Sequence, residues 1–119
     1  MTIERRANAF TIIELLIVVA IMGVLLMMAL PNFYRMRLTT RKAICLNNLR
    51  QIEGAVDRWV FENDINEGYV VTSSDEADIY SYLRSGLPVC PSGGEYTISV
   101  VGSYPQVTCS MEGHGLAGE

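Results

Sequence analysis

The sequence of 119 residues has little of what catalysis or nucleic-acid binding requires. It contains one histidine, and it has neither a phosphate-binding glycine loop nor a nucleophile elbow. Its formal net charge is −4, and so acidic a balance argues against nucleic acid as a partner. We therefore predict that the protein is not an enzyme, that it uses no cofactor and that it binds no nucleic acid.

Charge is almost missing from a long segment near the N-terminus. Phe10 to Leu30 is a run of 21 residues in which Glu14 is the single charged residue. As a helix this run rises about 31 Å, enough to cross a hydrocarbon core of about 30 Å. A head of about 55 residues is too small to enclose a helix that is apolar on every side. We predict a membrane helix over residues 10–30, in preference to a buried core helix or to the apolar part of an ordinary cleaved signal peptide.

An amphipathic helix is predicted over residues 31–63. Apolar side chains recur there at helical spacing, and Asn48 falls off this stripe. The stripe consists of Leu38, Cys45, Leu49, Ile52, Val56 and Trp59. We expect it to be the face on which a small head packs, with a homotypic coiled coil as the alternative. Cys45 is then expected to be a buried, reduced thiol.

The head, residues 64–119, is predicted to contain one short helix and one β-hairpin. Ser73 and Glu76 stand at capping-box spacing before a helix that runs from Asp75 to Leu83. Residues 95–101 and 106–111 are predicted as the two strands, because turn residues separate them. The fold class is therefore α+β, a long N-terminal helix with a membrane half and an amphipathic half, followed by a small C-terminal head.

The three cysteines allow one disulfide and one spare thiol. Cys90 and Cys109 bracket the predicted hairpin, and a bridge between them would close a loop of about 20 residues and stabilise the head by about 3 kcal/mol. The alternative is a zinc site in which Cys90, Cys109 and His114 are joined by Cys45. We favour the disulfide and predict no metal site, because no C-x-x-C pair is present and Cys45 lies on a separate helix.

Calcium is a further alternative, suggested by the acidic residues Asp75, Glu76 and Asp78. These residues fall in the first turn of the predicted short helix, where carboxylates are favoured by the helix dipole without any ion. We therefore keep the prediction that the head holds no metal.

The segment from Ala9 to Gly23, AFTIIELLIVVAIMG, resembles the N-terminus of type IV pilins and type II secretion pseudopilins. The resemblance implies that a prepilin peptidase cuts between Ala9 and Phe10, removes residues 1–9 and N-methylates Phe10. It implies that Glu14 pairs with the N-terminal amine of a neighbouring subunit, and that Pro31 kinks the helix. Many type IV pilins also have a disulfide-closed C-terminal region.

By this resemblance the protein is expected to be a structural subunit that polymerises into a type IV pilus or a type II secretion pseudopilus. The implied partners are further copies in a helical filament, the prepilin peptidase, minor pilins or pseudopilins, and an inner-membrane assembly platform with its ATPase. The implied location is the bacterial inner membrane, crossed once with the head outside the cytoplasm. The assembled filament would lie in the periplasm or on the cell surface.

Two alternatives stand beside this expectation. Two basic residues precede the membrane segment, but five lie between residues 31 and 52, a bias that by itself puts the head in the cytoplasm. We follow the resemblance, since it covers fifteen consecutive residues. The other alternative is a single-pass, membrane-anchored binding module that never polymerises.

Overall fold

A computed structural model describes residues 9–116. The elements follow the order α1 (Ile12–Asn63), α2 (Ser73–Ser81), β1 (Tyr96–Ile98) and β2 (Val107–Cys109). The predicted α+β class is confirmed. The chain divides into two compact units, one extending to Arg37 and the other beginning at Leu38.

The first unit contains the N-terminal part of α1. The hydroxyl oxygen of Thr11 accepts a hydrogen bond of 3.3 Å from the backbone N–H of Glu14, so the helix begins with a side-chain cap. A stretch of α1 near the N-terminus is long and apolar enough to cross a membrane, and none of it is buried by the described residues. Pro31 lies inside α1. So much exposed apolar surface calls for lipid or protein around it.

The second unit is built on the C-terminal part of α1. Leu49, Ile52 and Val56 are completely buried there, and burial of each stabilises the fold by about 1.5–3 kcal/mol. The side chains that share this core with α1 come from α2, from the hairpin and from the loops beside it: Ile79, Cys90, Ile98, Val101 and Val107. The predicted stripe is confirmed between Cys45 and Trp59.

Two positions on α1 differ from the prediction. Leu38 is 58% exposed, and the buried residues of α1 begin only seven positions later, at Cys45. Asn48, placed off the stripe by its polarity, is instead buried with 9% exposure. Its amide finds partners inside the head, so a polar residue occupies a core position at little cost.

The end of α1 is capped by backbone and side-chain hydrogen bonds. Asp64 follows the helix with φ at +53°, and the N–H of Ile65 then reaches the carbonyl oxygen of Val60 at 3.1 Å. The side-chain amide of Asn63 donates to the carbonyl oxygen of Trp59 at 2.9 Å. Carbonyls that the helix leaves unpaired are thereby satisfied, and the chain reverses direction.

Helix α2 starts with a different pair of residues from those predicted. Thr72 precedes the helix, and a carboxylate oxygen of Asp75 accepts hydrogen bonds from its backbone N–H at 2.9 Å and its hydroxyl at 2.6 Å. The prediction that Ser73 and Glu76 form the cap is wrong by one residue. Thr72 and Asp75 have the same spacing of three, which is why the sequence pattern did not separate the two pairs.

The predicted hairpin is confirmed, with shorter strands. Strands β1 and β2 pair antiparallel, and Tyr96 lies opposite Cys109 while Ile98 lies opposite Val107. Beyond Ile98 the chain turns to a different neighbour, since Val100 forms a bridge with Val70. The predicted length to residue 101 therefore includes a segment that leaves the hairpin for the loop after α1.

Candidate functional site

The first candidate site is the N-terminal segment. Phe10 is 86% exposed, and Glu14 lies in the exposed first turn of α1. Residues 1–8 of the predicted leader lie outside the described residues, whereas Ala9 and Phe10 fall within them. Cleavage after Ala9, methylation of Phe10, pairing of Glu14 and a kink at Pro31 remain predictions.

The second candidate site lies in the head, where four side chains from four segments converge. They are Cys45 of α1, Cys90 of the loop after α2, Cys109 of β2 and His114 near the C-terminus. One ligand atom from each residue can be chosen so that all of them lie within 4.8 Å of one another. Cys45 and Cys90 are buried, and the other two are half-buried. These four donors could hold a thiophilic metal ion.

Polar groups from the core surround the cluster. The hydroxyl of Tyr96 donates to Sγ of Cys45 at 3.6 Å. The amide of Asn48 in turn contacts the same hydroxyl oxygen at 3.0 Å and donates to the carbonyl oxygen of Val89 at 3.2 Å. Asn48 follows Cys45 by three residues and so lies on the same face of α1. This network connects α1 to β1 and to the residue preceding Cys90.

The pKa values of the two buried thiols are shifted in opposite directions. Burial raises the pKa of Cys45 to about 12, and the nearby Cys109 and Cys90 add to this rise, while the Tyr96 hydrogen bond opposes it. Burial also acts to raise the pKa of Cys90, but hydrogen bonds from the backbone of Ser92 and Gly94 and from His114 outweigh it and hold the pKa at about 6. Sγ of Cys90 lies 3.8 Å from Nδ1 of His114.

Gly94 allows the chain to pass close to the sulfurs. A Cβ atom at this position would lie 2.6 Å from Sγ of Cys109 and 3.4 Å from Sγ of Cys90. It would also lie 2.7 Å from Cγ of Met111. Any residue larger than glycine would therefore force the cluster apart.

All three cysteines are free in the structure, so the predicted Cys90–Cys109 disulfide is not confirmed. Cys45 is buried and free as expected, but it lies together with the other two thiols. The sequence pattern did not predict that Asn48, Tyr96 and Gly94 lie beside the cysteine cluster. A signal was available for Asn48, because its spacing of three residues from Cys45 places both side chains on one face of α1.

One of the three acidic residues considered for calcium already has hydrogen-bond partners within the head. Asp75 is occupied by the cap of α2 and also accepts a hydrogen bond of 3.1 Å from the hydroxyl of Tyr69. Within residues 9–116, three or more cysteine, histidine or acidic side chains lie close enough together to share an ion in one group. This group is the four-residue cluster.

Residues 5–30 match the family described as the prokaryotic N-terminal methylation motif. The predicted resemblance of residues 9–23 to the N-terminus of type IV pilins and type II secretion pseudopilins is confirmed by this match and by the similar proteins below.

Two curated proteins show the relationship. The chain is 26% identical over 114 residues to the type II secretion system core protein G of Klebsiella pneumoniae, an alignment that covers 87% of this chain and 81% of that protein. It is 37% identical over 59 residues to the type IV major pilin protein PilA of Myxococcus xanthus, covering 50% of this chain and 27% of the pilin. No solved structure matches the chain significantly. An apolar N-terminal helix in a chain similar to these proteins supports a membrane-anchored subunit.

Proposed function

We propose that this chain is the precursor of a filament subunit, which is cut between Ala9 and Phe10 and polymerises into a type IV pilus or a type II secretion pseudopilus. The observation that carries the proposal is the N-terminal part of α1, which matches the methylation motif and leaves its apolar side chains exposed. Leu15, Leu25 and Met27, for example, are 61%, 61% and 79% exposed.

Polymerisation accounts for this exposed surface. Before assembly, residues 10–30 lie in the inner membrane, where lipid chains cover the apolar side chains. In the filament the same side chains pack against the corresponding helices of neighbouring subunits. The transfer exchanges one apolar environment for another, so the free energy that drives it must come from specific contacts and from an assembly ATPase.

Glu14 supplies a specific contact. A carboxylate in a membrane helix costs about 2.5–3.5 kcal/mol near the bilayer centre, and such groups are usually paired. Cleavage after Ala9 creates a charged amine on Phe10, and this amine on one subunit pairs with Glu14 on the next. The pair forms only when two subunits are in register, so the cost of burying Glu14 is relieved by correct docking.

The proposed topology places the N-terminus in the cytoplasm and the head outside it. Leader removal by the prepilin peptidase follows insertion, and the assembly platform then adds the subunit to a filament that contains minor pilins or pseudopilins. The subunit itself carries out no chemical reaction in this scheme.

Mass spectrometry of the protein extracted from membranes tests the processing. We expect a mass that begins at Phe10 and carries one additional methyl group. An uncut species that begins at Met1 would contradict the proposal.

Substitution tests the assembly step. Glu14→Ala should abolish filaments while leaving the protein in the membrane, because the neighbouring amine loses its partner. Glu53→Ala, which removes a half-exposed carboxylate from the same helix, is the matched control and should leave filaments intact. Normal filament assembly by Glu14→Ala would contradict the role proposed for Glu14. An unmodified protein that keeps its leader and forms no filaments would favour the membrane-anchored binding module.

A further inference from the structure

We propose that Cys45, Cys90, Cys109 and His114 form a structural zinc site that fastens the head to α1. The inference goes beyond the filament function and does not depend on leader cleavage, since all four residues lie in the second unit. It replaces the disulfide expected from the sequence.

The geometry of the cluster fits one tetrahedral ion. Zinc binds thiolate sulfur at about 2.3 Å and imidazole nitrogen at about 2.0–2.1 Å, so adjacent ligand atoms in a tetrahedral site are about 3.5–3.8 Å apart. The distance of 3.8 Å between Sγ of Cys90 and Nδ1 of His114 has this value. All four ligand atoms lie within 4.8 Å of one another, so the widest separation requires contraction by no more than about 1 Å.

The convergence of four side chains is what separates this proposal from a disulfide. A bridge between Cys90 and Cys109 uses two sulfurs and gives no reason for Cys45 or His114 to point at the same place. Three sulfurs and one imidazole are the donor set of a Cys₃His zinc site, and such closed four-ligand sites are structural rather than catalytic. The four residues come from four separate segments, so one ion would connect them all.

The surroundings of the sulfurs support a bound cation. Backbone groups of Ser92 and Gly94 form hydrogen bonds to Cys90, and the hydroxyl of Tyr96 donates to Cys45. Donors to coordinated sulfur are the usual outer contacts of such sites, and they orient the ligands. The missing side chain at Gly94 gives the two sulfurs of Cys90 and Cys109 room to approach the ion.

The head is small, so a bound ion would add stability that its core alone does not supply. A head of this size buries too little surface to be held by its core alone, and a metal or a disulfide commonly compensates. The two strands of the head are only three residues long each. An ion bound to α1, the loop after α2, β2 and the C-terminal turn would hold these short elements on the helix.

The first test measures metal and thiol content of the full-length protein purified in detergent without chelator. We expect about one zinc ion per chain by elemental mass spectrometry, and three alkylatable thiols after denaturation with chelator. Little or no zinc together with a denatured mass lower by two hydrogens, from a Cys90–Cys109 bridge, would overturn the proposal. Equal retention of zinc by Cys45→Ser would also overturn it.

The second test compares the zinc affinity of ligand variants with that of variants at neighbouring residues, measured by competition with a chelator of known zinc affinity. His114→Ala and Cys45→Ser should weaken zinc binding by more than about 100-fold, whereas Tyr96→Phe, which removes an outer hydrogen bond, should weaken it by about 10-fold. Tyr104→Phe is the matched control, because its hydroxyl contacts the carbonyl oxygen of Leu116, and it should bind zinc like the unmodified protein.

Replacement of zinc by Co²⁺ gives a readout that does not depend on a variant folding. A tetrahedral site with three thiolates should produce intense visible absorption and a sulfur-to-cobalt charge-transfer band. A weak spectrum typical of octahedral cobalt would contradict the proposed ligand set, as would a spectrum unchanged in His114→Ala.

Discussion

The two parts of α1 show how one helix can carry two kinds of apolar surface. Up to Arg37 the apolar side chains are exposed on every side, whereas between Cys45 and Trp59 they form one buried face. In the second part the chain supplies its own covering, the residues of the head. The apolar side chains of the first part are exposed among residues 9–116, and lipid or another subunit would cover them.

This difference has a consequence for stability. Substitutions in the exposed part should affect insertion and assembly but leave the unfolding of the head unchanged. Substitutions in the buried part should unfold the head, since each contact there belongs to a small core.

Removal of metal should have the largest effect. If the proposed ion connects α1 to the loop after α2, to β2 and to the C-terminal turn, chelation should destabilise the head more than any single core truncation, because the metal-binding free energy is part of the folding free energy. Hydrogen exchange should then increase at the amides of residues 45–59 and of β1 and β2. Residues 15–30, held in detergent, should exchange as before, and readdition of zinc should restore protection. Unchanged exchange in the head after complete zinc removal would contradict this prediction.

Truncation of matched apolar residues should separate the two parts of α1 next. Ile52→Ala removes a completely buried side chain and should lower the free energy of unfolding of the head by about 2–5 kcal/mol. Leu25→Ala, on the same helix but 61% exposed, should change it by less than about 0.5 kcal/mol. Chemical denaturation followed by Trp59 fluorescence measures both. Equal losses in the two variants would show that the parts of the helix unfold together.

A buried polar residue should have a smaller effect. Asn48→Ala removes the hydrogen bonds to Val89 and Tyr96 and leaves the carbonyl oxygen of Val89 without this partner. We expect a loss of about 1–3 kcal/mol in the free energy of unfolding. Gln51→Ala, at an exposed position of α1, is the control and should be nearly neutral. A neutral Asn48→Ala would mean that water replaces the amide.

Much of this architecture could be predicted from local patterns. The apolar run, the buried stripe and the hairpin all depend on residues close together in sequence, and the structure confirms them in kind. Boundaries were less certain, as at Leu38 and at the cap of α2, because neighbouring residues satisfy the same pattern. The four-residue cluster at Cys45 was only an alternative in the sequence and was not the favoured prediction, since its members are separated by up to 69 positions and meet only after the head has packed on α1. Cysteine spacing therefore favoured a local pair, Cys90 and Cys109, over a group of four.

Acid should produce the smallest effect, through the cap of α2. Hydrogen bonds from the side chain and the backbone of Thr72 lower the pKa of Asp75 in the folded protein. The stabilisation is therefore fully present above the unfolded pKa of about 3.9 and is lost as the pH falls through the folded pKa. The free energy of unfolding of the unmodified protein and of Asp75→Asn should differ at about pH 6 and converge toward about pH 2. The difference between the two proteins cancels acid effects that they share. Asp78→Asn, on the same helix but outside the cap, is the control, and its free energy of unfolding should follow that of the unmodified protein at every pH. A difference between Asp75→Asn and the unmodified protein that stays constant with pH would show that the carboxylate charge contributes nothing to the cap.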